Sequence, residues 1–132
     1  MCGIFTSASP VQFKDSPECV RVLLSRFDGT SFVFDKNQLL NDIFEQEKIH
    51  GISQIGGVFI HNAQSQAVSD FCLSIAVFSQ NDKNHLEMFV AWPENNEHYL
   101  DKISRLVNLL VRFGNSKWKT EELFEKISKL FA

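Results

Sequence analysis

The chain has 132 residues, of which 44% are hydrophobic and 22% charged, with a net charge of −3. That composition fits one packed domain spanning residues 1–132 and argues against a disordered or fibrous chain. No stretch approaches the ~20 apolar residues that span a bilayer, and no basic segment precedes an apolar one at the N-terminus, so a cytoplasmic protein without membrane contact is expected.

CGIFTS, residues 2–7, reads as a short strand running into the small, polar stretch Ser7-Ala8-Ser9-Pro10. After Asp15-Ser16-Pro17, ECVRVLLSRF alternates in part, with Val20, Val22 and Leu24 on one face. Asp28-Gly29 is a turn signal, and TSFVF is the expected second arm of a hairpin. Asp35 followed by Gln38 has the form of a capping box, and Leu39, Leu40, Ile43 and Phe44 then make a helical stripe that Gly51 closes.

QIGGVFIHN, residues 54–62, is read as one strand whose paired glycines imply a bulge or a close backbone approach. Gly56-Gly57 lacks the spacing and the downstream Lys of a phosphate loop. SDFCLSIAVFSQ and HLEMFVAW alternate with period two around Asn81-Asp82-Lys83-Asn84, which predicts a long antiparallel hairpin in the middle of the sheet. Pro93 ends it. Asn95 or Asn96 caps a helix to about Arg112, with Gly114 beyond its end, and a last helix starts at Thr120. The expected architecture is α+β: a twisted, mostly antiparallel sheet of about five strands, helices on one face, and a helical C-terminus.

The cysteines are Cys2, Cys19 and Cys72, an odd number at long spacings, which predicts neither a disulfide framework nor a zinc site. His50, His61, His85 and His98 are scattered too, so no metal and no cofactor is expected. Trp118, between lysines, could stack on a base, but packing on the preceding helix is the simpler reading, and no nucleic acid is expected as a partner. Charge is uneven along the chain. Residues 37–101 hold nine acids against Lys48 and Lys83, whereas residues 102–132 hold seven bases against three acids. Such asymmetry suits a surface for an oppositely charged partner.

Two resemblances bear on function. MCGIF resembles the opening of the class II glutamine amidotransferases, in which an N-terminal cysteine attacks the glutamine amide. The resemblance implies that Cys2 would be the nucleophile, with its own α-amine as base. It covers Met1 to Phe5 and stops at Thr6, and the family's Asn-Gly and Gly-Asp pairs are missing, which would leave the tetrahedral oxyanion without its hole.

The opening MCGIFTSASP, through Met1, Gly3, Ile4, Phe5 and Ser7, with the stretch near Trp118 and the last helix, is similar to small immunity proteins of bacterial contact-dependent growth inhibition systems. That resemblance implies a non-enzymatic antitoxin that binds one cognate toxin and blocks its active site. A basic nuclease toxin would match the acidic middle of the chain. Asp82, Glu87, Glu94 and Glu97, expected near one end of the same hairpin, are the candidate partner-binding residues. A secretion chaperone for an effector is the alternative, and a Cys2 hydrolase the second alternative. No catalytic residue is assigned in the leading reading.

Overall fold

The computed structural model describes residues 2–132. Its elements in chain order are β1 (Gly3–Gln12), α1 (Ser16–Ser25), α2 (Lys36–His50), β2 (Ser53–Ile55), β3 (Val58–Gln64), β4 (Cys72–Gln80), β5 (Lys83–Trp92), α3 (Glu97–Gly114) and α4 (Thr120–Leu130). The α+β class, the five strands and the helical C-terminus are as the sequence predicts. The sheet runs in the order β1-β4-β5-β3-β2. The β4–β5 and β2–β3 pairs are antiparallel, while β1–β4 and β3–β5 are parallel, so the sheet is mixed.

Helices cover both faces rather than one. The alternation of β4 explains why: Cys72, Ala76 and Phe78 join Cys19, Leu23, Leu39 and Ile43 in a core beneath α1 and α2. Leu73, Ile75 and Val77 join Leu106, Leu110, Leu123 and Ile127 beneath α3 and α4. Side chains on a strand point alternately to opposite faces, so an unbroken buried run from Cys72 to Ser79 needs a layer on each side.

ECVRVLLSRF is the largest local departure, since it folds as helix α1 and not as a hairpin arm. Cys19, Val20, Leu23 and Leu24 are its buried residues, at the i, i+1, i+4, i+5 spacing of a helical stripe. Asp15 caps it by accepting from the Glu18 N–H, and Pro17 sits in its first turn, where its missing N–H costs nothing. The β-branched valines favour a strand locally, but burial of the stripe decides. Gly29 has φ +78° and turns the chain after the helix. TSFVF then contributes one bridge, Val33 to Val68.

Gln54 to Asn62 is likewise two strands, because Gly56 and Gly57 take φ +60° and +84° and form a tight turn between β2 and β3. The predicted close approach is real at Gly56: a Cβ there would lie 2.0 Å from the Leu110 carbonyl oxygen, and Gly114 lies against the same glycine. α2, α3 and α4 form as expected, with Asp35 and Asn96 accepting from the Gln38 and Tyr99 N–H groups. β1 extends to Gln12, beyond the expected segment, with a register break between Ser7 and Val11. Trp118 packs against the cations of Arg112 and Lys126, at 5.5 and 4.5 Å from its ring centre, as its packing reading predicts.

Candidate functional site

The face beneath α1 and α2 contains a cluster of ionisable side chains. His61 on β3 is completely buried, and Glu87 on β5 is 4% exposed. Both belong to strands that place Ala63, Phe89 and Ala91 in the apolar core on that same face. Parallel pairing of β3 with β5 sets His61 opposite Phe89, one same-face step from Glu87. His61 Nε2 lies 2.6 Å from Glu87 Oε1, and its Nδ1 lies 2.5 Å from Glu47 Oε1 on α2. His85 Nε2 reaches the second oxygen of Glu87, Oε2, at 2.7 Å.

Carboxylates only accept, so a ring bonded to one at each nitrogen must carry both protons. Burial alone would push the His61 pKa down. Glu47 and Glu87 outweigh it and raise the value to about 9. Glu87 is the mirror case: burial would raise its pKa, but hydrogen bonds from His61, Cys19 and His85 hold it below the usual carboxylate range. Cys19 on α1 donates to Glu87, and burial followed by that carboxylate pushes its thiol pKa well up. His85 is wedged edge-on against Phe13 and Phe59 and tilted against Phe78.

His61 is therefore a fixed cation, not a free nucleophile, as long as both glutamates stay in place. His50 and His98 are exposed. They occupy electrostatically opposite positions, His50 in the last turn of α2 and His98 in the first turn of α3, beside Tyr99.

The sequence-predicted partner residues are not brought together. Asp82 lies in the β4–β5 turn with φ +62°, whereas Glu94 and Glu97 lie beyond the other end of β5. A ten-residue strand separates the two ends by roughly 30 Å. Glu87 is core. The acid-rich middle of the chain is thus partly used internally: Glu47 and Glu87 bind His61, and Asp42 accepts from Ser65 at 2.6 Å. Cys2 is half-buried and packs at the edge of the α3/α4 core.

No family model and no curated protein matches the chain. Solved structures do match in fold. A putative PTS IIA domain from Streptococcus pyogenes M1 GAS has a TM-score of 0.59 at 14% identity, over 96% of this chain and 91% of that one. Nitrogen regulatory protein IIA-Ntr from Neisseria meningitidis has a TM-score of 0.60 at 19% identity, over 98% and 92%. IIA mannitol from Escherichia coli has a TM-score of 0.54 at 13% identity, over 98% and 96%.

These neighbours overturn the immunity-protein reading and, with it, the cognate toxin as partner. The short likeness at the N-terminus does not extend to the architecture, which is that of IIA-type structures. The secretion chaperone and the Cys2 hydrolase gain no support either. Among the described residues, no helix is long and apolar enough to cross a membrane.

Proposed function

We propose that the chain is a phosphoryl carrier of the PTS IIA type and that His98 is its acceptor. The fold likeness supports the class. The observation that carries the residue is the position of His98, an exposed imidazole in the first turn of α3. There the backbone N–H groups of Glu97 and His98 lack intrahelical acceptors, and the helix dipole favours the incoming anion.

His50 faces the unfavourable end of its helix. His61 is enclosed and held at both nitrogens, and His85 is pinned by Glu87. In the transfer step a lone pair on a His98 ring nitrogen attacks phosphorus, and the bond from phosphorus to the donor breaks with its electron pair leaving on the donor. A second transfer reverses this onto an acceptor. On this reading the protein hands on one group, has no small-molecule substrate of its own, and acts in the cytoplasm with other PTS proteins as partners.

The test is incubation with phosphoramidate followed by intact-mass analysis. The expected product is a single phosphoryl adduct, lost in acid and stable in base, present in His61→Gln and missing in His98→Gln. No adduct in the wild type, or an unchanged adduct in His98→Gln, overturns the assignment.

A further inference from the structure

Three side chains with metal-binding atoms meet in the α1/α2 core: the Cys19 sulfur, a ring nitrogen of His85 and a Glu87 oxygen, all within 4.8 Å of one another. They come from α1 and β5, and nothing in the carrier reading uses them. We propose that Cys19, His85 and Glu87 form a binding site for a divalent transition-metal ion of the zinc class.

The donor set is the first reason. One thiol, one imidazole and one carboxylate are the ligand types that zinc and cobalt take, whereas calcium and magnesium take oxygen alone. The support around them is the second. Glu87 Oε1 is held by His61, which is itself held by Glu47, so this carboxylate is oriented by a chain of hydrogen bonds that leaves Oε2 turned toward His85. Outer partners of that kind fix the ligands of metal sites. Phe13, Phe59 and Phe78 surround the His85 ring and set its plane.

Access is the third reason. Cys19 is completely buried and Glu87 nearly so, but the His85 side chain is 27% exposed, which leaves a path for the ion along that ring. Without metal, the three groups satisfy one another, with Cys19 and His85 donating to Glu87. On binding, the Cys19 thiol proton leaves to solvent, the His85 ring shifts its proton from Nε2 to Nδ1 by exchange with solvent, and the freed Nε2 lone pair coordinates the ion. New bonds form from the metal to sulfur, nitrogen and oxygen, and water fills the remaining position. Glu47 and Glu87 together carry one negative charge more than the His61 cation they share, which favours a divalent cation over a neutral occupant.

Cobalt(II) is the probe, because a thiolate bound to it gives an intense near-ultraviolet charge-transfer band. The full chain is treated with chelator, dialysed and titrated with cobalt chloride. The expected result is saturation at one ion per chain with that band present. Cys19→Ser abolishes the band while Cys72→Ser, a change at the other buried thiol, retains it, and His85→Gln weakens binding at least tenfold. Circular dichroism of each variant, taken first, separates a lost site from a lost fold. Should Cys19→Ser be unfolded, the Cys2→Ser/Cys72→Ser double variant decides: with Cys19 as its one remaining thiol it must keep the band. Absence of the band in the wild type, its survival in a folded Cys19→Ser, or its loss from a folded double variant overturns the proposal. The phosphoryl adduct test uses no metal and stands or falls separately.

Discussion

The two faces of the sheet solve the same burial problem with different chemistry. Beneath α3 and α4 the core is hydrophobic throughout, from Val58, Ile60 and Phe71 to Met88, Leu110 and Ile127. Beneath α1 and α2 a comparable core encloses His61 and Glu87, with Glu47, Cys19 and His85 completing their hydrogen bonds. The apolar face tolerates a change by repacking. The polar face is stable only while each charge keeps its partner, since an orphaned charge in a low-dielectric interior costs more than the intact network gains.

The largest expected effect tests that asymmetry directly. Glu87→Ala removes the acceptor of three groups at once and should cost about 3–5 kcal/mol in urea unfolding. Met88→Ala, the next residue and on the other face, should cost about 2–5 kcal/mol, the loss following the cavity it leaves. Restoring an apolar side chain of similar volume separates them: Met88→Leu should recover most of the loss, and Glu87→Leu little of it while His61 remains. A Glu87→Leu variant as stable as wild type would erase the distinction between the faces.

pH sharpens the same comparison. The folded pKa of His61 is about 9, above the usual 6.5, so its contribution is fully present below pH 6.5 and is lost as pH rises through 9. Its full size is about 3 kcal/mol. Glu87 has the opposite sign: its lowered pKa gives stability that is present above the ordinary carboxylate pKa and lost on acidification. Unfolding midpoints should therefore fall from pH 6.5 to 9 in the wild type and stay nearly level over that range in His61→Phe. A parallel decline in both would assign the titration elsewhere.

Smaller effects follow at the edges of each layer. Asp35→Ala on α2 and Asn96→Ala on α3 each remove a helix cap and should each cost about 1 kcal/mol, one helix from either face. The smallest change carries a reversed sign. Ser74 Oγ is buried in the sheet with no hydrogen-bond partner among the described residues, so Ser74→Ala should be neutral or stabilising by up to about 1 kcal/mol, read as a thermal shift.

How much of this is legible in the sequence differs by range of interaction. α2, α3, α4 and the β4–β5 hairpin are written locally, in the Asp35 and Asn96 caps, the stripe Leu39–Ile43, and the alternation on either side of Asn81-Asp82. α1 was legible too. Asp15 with Glu18 three residues on and Pro17 between them is a helix start, but the valines at 20 and 22 gave an equally local strand signal. Parallel pairing is not local, since β1 and β4 are brought together across most of the chain. That crossing is why helices on two faces looked like helices on one.

The polar cluster left a trace. His61 interrupts an apolar strand, and Glu87 falls on the face of HLEMFVAW that also carries Phe89 and Ala91, opposite Leu86 and Met88. Joining the two required the β3–β5 register, which no local pattern encodes. The acids expected at one end of the hairpin do not converge, because β5 runs its full length between Asp82 and the pair Glu94 and Glu97, and Glu87 turns into the core.

The break in β1 also bears on how these molecules behave when crowded. β1 and β2 are the two open borders of the sheet, where an intruding strand from another copy could add. β2 offers only three residues. β1 offers ten, but Pro10 donates no N–H and the ladder slips between Ser7 and Val11, so no long flat border is available. Replacing Pro10 and closing the slip would give a continuous template, and the chain's resistance to fibre formation would be expected to fall with it.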